Sequence, residues 1–147
     1  MQVIRSLERE DATLVGWGVR VLLLSIEGQA GLTGRRLASI GGRVEAVSEL
    51  YEALSALIDD PSGYALFVVD CDGVGGIDAV RAGLQKLGGD VGRVPVILVS
   101  RDCREQRFPD DRTCPTILRA PLSSVALRVG FEHALRDRFF YRVTESA

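Results

Sequence analysis

The run Tyr64-Ala65-Leu66-Phe67-Val68-Val69-Asp70 stops abruptly on a carboxylate, and glycines follow at Gly73, Gly75 and Gly76. A continuous apolar stretch rich in β-branched and aromatic residues is how a central strand of a parallel sheet reads when helices cover both of its faces, and ligands collect at the carboxyl end of such strands. Asp70 therefore stands where such a fold keeps its chemistry; the competing role is an aspartate that caps the next turn through its short acceptor side chain. Cys71, beside it, has the type of a nucleophile or redox sensor. No Lys or His lies near it in sequence to depress its pKa, which favours a small buried thiol. His133, the single histidine, falls among Phe131, Glu132 and Arg136. Its type fits phosphotransfer, its setting fits packing, and one histidine supplies little for a metal cluster or a Ser-His-Asp triad. Gly28-x-x-Gly31-x-x-Gly34 leads into a helix-like stretch and suggests a phosphate cradle. The spacing matches neither dinucleotide nor P-loop patterns, and Arg35-Arg36 stands where a P-loop has Lys-Ser/Thr, so a flexible turn is the better reading.

The elements that must position these residues are legible as alternating strands and helices. Val19 to Leu24, Tyr64 to Val69 and Val94 to Val99 are apolar runs too short for average helices and read as buried strands. Arg43 to Val47 and Thr116 to Leu118 add two short strands. Helical spacing of apolar residues marks Leu32 to Ile40, Glu49 to Ile58, Ile77 to Leu87, and a last helix from Ser123 to about Tyr141. Gly41-Gly42, Asp59 to Gly63 and Gly88-Gly89 punctuate them. Five strands and five helices fit the length, with Cys103 to Pro115 the weakest helix because its Arg, Asp and Pro residues show little amphipathic period. Alternation of this kind implies right-handed crossovers and a parallel sheet between helical layers.

The 147 residues fit one domain with a substantial core. With 46% hydrophobic and 26% charged residues the composition is that of a soluble globular protein, and no apolar run is long enough to span a membrane. Met1 to Arg9 lacks the apolar core of a secretory signal, so cytoplasm is the expected location. Three cysteines, Cys71, Cys103 and Cys114, without C-x-x-C spacing argue for reduced thiols rather than disulfides or zinc. A net charge of −2 gives no electrostatic reason to expect nucleic acid or anionic lipid.

From Val19 to about Leu135 the chain resembles a receiver domain of bacterial two-component response regulators. Asp70 ends Leu-Phe-Val-Val-Asp, Ser100 ends Val-Ile-Leu-Val-Ser, and Pro121 follows Ile-Leu-Arg-Ala, in the order and at the spacing that family uses for the aspartate of the third strand, the Ser or Thr of the fourth and the Lys-Pro of the fifth. The resemblance implies a flavodoxin-like, CheY-like three-layer α/β/α sandwich with a parallel sheet in the order 2-1-3-4-5. Residues 19–141 would form it, behind an N-terminal extension of residues 1–18 that includes Trp17 and ahead of a tail of residues 142–147. It makes Asp70 the candidate phosphoacceptor and Ser100 the candidate switch hydroxyl, and it implies a cis peptide before Pro121.

The departures are as specific. Where the family carries an acidic pair after the first strand, this chain has Ser25-Ile26 followed by Glu27, and Ala120 replaces the lysine. Mg²⁺ takes oxygen ligands, and a reduced site would have to use Glu27, Asp70 and the carbonyl of Asp72. Arg119 is adjacent to Ala120, but successive strand side chains point to opposite faces. Loss of one preorganised donor costs roughly 3–4 kcal/mol, so phosphoryl transfer should be severely slowed. The expectation is a non-enzymatic pseudo-receiver acting through protein contacts, with weak or absent phosphorylation at Asp70. The alternatives are a phosphorylatable receiver with a rebuilt Mg²⁺ site and a small nucleotide-binding flavodoxin-like enzyme. Expected partners are a sensor kinase, a downstream regulator or a second copy. They would meet the last strand and helix, where Arg101, Arg104, Arg107 and Arg112 and the aromatics Phe139, Phe140 and Tyr141 concentrate interface-prone residue types. Without an output domain in this sequence, the module would act alone or as part of a longer regulator.

Overall fold

The computed structural model of the chain describes residues 18–86, 94–111 and 113–136. Five strands, β1 (Arg20–Leu24), β2 (Arg43–Val47), β3 (Leu66–Asp70), β4 (Val96–Ser100) and β5 (Thr116–Arg119), form one parallel sheet in the order β2-β1-β3-β4-β5. Four α-helices connect or follow them: α1 (Leu32–Ser39), α2 (Leu50–Asp59), α3 (Ile77–Lys86) and α4 (Ser124–Ala134). The expected topology is thus the observed one. β3 and β4 begin two residues after their apolar runs and end one residue after them, because the polar residue closing each run, Asp70 or Ser100, still pairs with its neighbour strand.

Alternation along the strands splits the core in two. Val21, Leu23, Val68, Val99 and Leu118 face Leu37 of α1 and Leu127 and Phe131 of α4. Leu22, Leu24, Phe67, Val69 and Leu98 face Ala53 and Leu57 of α2 and Val80 of α3. Nearly all of these side chains are fully buried, which is why the strands read as unbroken apolar runs rather than alternating ones. Helix α4 starts where Ser123 accepts a hydrogen bond from the Ala126 amide at 3.0 Å, satisfying a donor that the first turn leaves free.

The expected fifth helix is absent among the described residues between Cys103 and Pro115. Instead the chain turns back, and Arg107 pairs antiparallel with Ile117 on the outer edge of β5, each amide donating to the other's carbonyl at 2.9 Å. Arg119 holds the same segment by donating to the carbonyls of Cys103 at 3.2 Å and Arg104 at 2.5 Å, and Arg136 donates to the Asp110 carbonyl at 2.7 Å. Prolines at 109 and 115 and a charge-rich composition leave no apolar stripe with which a helix could dock. Helix α4 runs to Ala134 with Leu135 as its C-terminal cap, and positions 137–141 of the expected helix lie outside the described residues. Trp17, Arg112 and Phe139 to Tyr141 lie outside the described residues.

Candidate functional site

At the carboxyl ends of β1, β3, β4 and β5 the sheet opens into a cleft of about 360 Å³, whose wall includes Ile26, Glu27, Thr33, Asp70, Asp72, Arg101 and Ala120. Asp70 closes β3 half-buried, and its Oδ1 accepts a hydrogen bond from the Thr33 hydroxyl at 2.7 Å. Thr33 lies on the first turn of α1 and is only 6% exposed, so this hydroxyl is fixed against the carboxylate. Nothing in the local sequence marks Thr33. The one available signal is a polar residue one turn before Leu37, on the face that α1 buries.

Beyond Asp70 a short 3₁₀ turn, Cys71–Val74, carries the chain across the end of β4. Gly75 and Gly76 follow with φ of +104° and +96°, a conformation that L side chains rarely adopt, and the turn is closed by the Gly76 amide donating to the Cys71 carbonyl at 2.8 Å. This geometry brings Asp72 to Ser100. The Ser100 hydroxyl donates to Asp72 Oδ1 at 2.5 Å, the Arg101 amide donates to Asp72 Oδ2 at 2.9 Å, and the Asp102 amide donates to Ser100 Oγ at 3.1 Å. The Asp72 side chain thus accepts from two donors at the end of β4.

Ser25, Ile26 and Glu27 line the same cleft from the end of β1. Ser25 is buried and its hydroxyl accepts from the Glu27 amide at 3.3 Å. Ile26 lies over Gly73, where an added Cβ would come within 2.8 Å of its side chain. Glu27 is exposed, lines the cleft with Asp70, and has its carboxylate close to Gly31. Glu27, Asp70 and Asp72 all line the cleft, and among the described residues no three His, Cys, Asp or Glu side chains gather into one cluster. Arg119, adjacent to the Ala120–Pro121 cis peptide, points away from the cleft toward the Cys103–Arg104 backbone.

Cys71 is fully buried, and desolvation pushes its thiol up to about 12 despite a hydrogen bond from the backbone of Val99. A thiol so poorly ionised is no nucleophile. His133 Nε2 donates to the Pro109 carbonyl at 2.6 Å, and its ring meets Phe108 edge-on, so it fastens the segment before β5 to α4. Of the glycines after β1, Gly28 takes a φ of +66°, and Gly31 and Gly34 serve close packing. At Gly34 an added Cβ would stand 2.6 Å from the Gln29 carbonyl oxygen, which explains why the helix start needs glycine there without invoking phosphate.

No protein-family profile matches the chain, and no curated protein matches it. Solved structures do. The PhyR stress response regulator superposes with a TM-score of 0.53 at 22% identity, covering 91% of this chain and 52% of that one. The response regulator PhyR from Brucella abortus superposes with a TM-score of 0.53 at 17% identity, covering 96% of this chain and 58% of its own. The chain thus spans little more than half the length of the structures it resembles. At such identity the likeness speaks to architecture, and with the strand order and the strand-end positions of Asp70 and Ser100 it establishes a divergent receiver-like fold.

Proposed function

We propose that the chain is a receiver-like signalling module of a two-component, phosphorelay type of regulatory system, acting through protein–protein contacts, with Mg²⁺-dependent phosphorylation at Asp70 weak or absent. The observation that carries this reading is the company Asp70 keeps. It ends β3 facing the cleft, as a receiver phosphoacceptor would, while Ile26 and Ala120 occupy the positions of an acidic residue and a lysine. Without the family's acidic pair and its lysine, charge building up on a transferring phosphoryl group is less well stabilised. Partner contact is assigned to the β5–α4 face, where Val125 and Val129 of α4 stand 74% and 46% exposed one turn apart. A sensor kinase, a downstream regulator or a second copy would dock there. No helix of the described residues is long and apolar enough to cross a membrane, and the cytoplasm is the proposed place of action.

Incubation with acetyl phosphate and Mg²⁺, followed by intact-mass measurement, tests the phosphorylation half of the proposal. The expected result is little or no gain of one phosphoryl mass by the wild-type chain, and a clear gain in the Ile26→Asp/Ala120→Lys variant. Full phosphorylation of the wild type, abolished in Asp70→Asn, would overturn it.

A further inference from the structure

Helix α2 buries Ala53 and Leu57 against the sheet but leaves Tyr51 80% and Ile58 50% exposed, with Leu54 half-buried between them. Positions 51, 54 and 58 fall on one side of a helix and form a seam about 10 Å long, the pattern by which one helix accepts another. Leu54 lies at the junction with α3, where an added Cβ on Gly83 would come within 2.8 Å of Leu50 and 3.9 Å of Leu54, so the seam opens beside a close contact between two helices. Its rim is acidic. Glu49 and Glu52 stand exposed at one end and Asp59 and Asp60 at the other, Asp60 turned to Arg20, and α2 itself carries no Lys or Arg. Asp59 occupies the last turn, where the carbonyl end of the helix is already negative and a basic residue is the favourable choice. A carboxylate there disfavours the helix by itself and is relieved by a cation brought from outside.

We propose that Tyr51, Leu54 and Ile58 form a docking seam for a basic amphipathic helix of a partner protein, its apolar side chains packing on the seam and its Lys or Arg side chains meeting Glu52 and Asp59. A second copy is a poor occupant, because two α2 helices crossing at this seam would set Glu52 and Asp59 against the same carboxylates. The acidic rim likewise repels anionic lipid and nucleic acid. Helix α2 packs on one face of the sheet and α4 on the other, so a protein on this seam leaves Val125 and Val129 free for another. The chain then works as an adaptor that holds two proteins at once, one on each side of its sheet. The cleft at Asp70 is lined by no residue of α2, so the acetyl phosphate experiment can fail or succeed without deciding this inference.

Titration of the isotope-labelled full-length chain, followed by two-dimensional NMR, tests the seam with two designed helical peptides of equal length and the same leucine stripe, one flanked by lysines and one by glutamates. The lysine peptide should shift the amides of residues 50–59 and of Gly83 saturably, and the glutamate peptide should bind about tenfold more weakly or not at all. Tyr51→Ser/Ile58→Ser and Glu52→Lys/Asp59→Lys, all at exposed positions that spare the fold, should each weaken binding of the lysine peptide about tenfold. Val125→Ser/Val129→Ser should bind it as wild type does. Sedimentation velocity of the chain alone should show the same species for wild type and Tyr51→Ser/Ile58→Ser. Absence of saturable shifts, shifts centred on another face, equal affinity for the two peptides, or a dimer that Tyr51→Ser/Ile58→Ser dissociates would overturn the proposal.

Discussion

Among the described residues Thr33 is the side chain that donates to Asp70, and a valine in its place would keep the shape while removing the proton. A half-buried carboxylate deprived of a charge-assisted bond should cost about 1–3 kcal/mol, so Thr33→Val should lower the urea midpoint with its slope unchanged. The cysteines make a second residue-scale test. Cys71 and Cys103 are buried and Cys114 is exposed. Iodoacetamide at about pH 8 should alkylate Cys114 alone in the native protein and all three thiols after denaturation, counted by mass. Rapid native labelling of Cys71 would contradict the burial that holds its thiol up at about 12.

At the scale of elements, Gly34 inverts the usual preference of a helix. Alanine normally stabilises a helix interior by about 1 kcal/mol over glycine. Here the new methyl would collide with the Gln29 backbone, so Gly34→Ala should instead destabilise, by roughly 1–3 kcal/mol, seen as a lower thermal midpoint. The strands and helices were readable because each follows one period, and Asp70 and Ser100 were readable because they break an apolar run at its end. The bond between Asp72 and Ser100 was not. It joins residues 28 positions apart and depends on the register of β3 with β4 and on a turn whose course rests on two left-handed glycines. Thr33 was invisible for the same reason. The segment from Cys103 to Pro115 was readable only as an absence of helical pattern, and the bridge that replaces the helix is a backbone interaction with no side-chain signature.

Across the whole molecule, a polar cluster ties β1 and β2 to the segment leading into β3, at the opposite end of β1 from the cleft. Arg20 of β1 lies 4.4 Å over the Tyr64 ring and pairs with Glu45 of β2 at 2.9 Å and with Asp60 at 3.0 Å, while the Tyr64 hydroxyl donates to Glu45 at 2.6 Å. The Tyr64 hydrogen bond first, and Arg20 second, hold the Glu45 carboxyl below its usual value of 4.5. A depressed folded pKa gives stability that is present above the unfolded value and lost as pH falls through the folded one. Urea midpoints between about pH 7 and pH 3 should therefore decline on the acid side, and the decline attributable to Glu45 should be shallower in Tyr64→Phe.

The return of Arg107 onto β5 has a consequence for how copies of this protein meet. An open edge strand invites a visiting strand to continue the ladder, which is how sheets polymerise. On β5 both the amide and the carbonyl of Ile117 are already engaged, and Arg119 and Arg136 fasten the covering segment in place. Recruitment on that side must then proceed through side chains, which discriminate among partners, rather than through backbone, which does not: the chain has used its own loop as a guard against indiscriminate self-assembly.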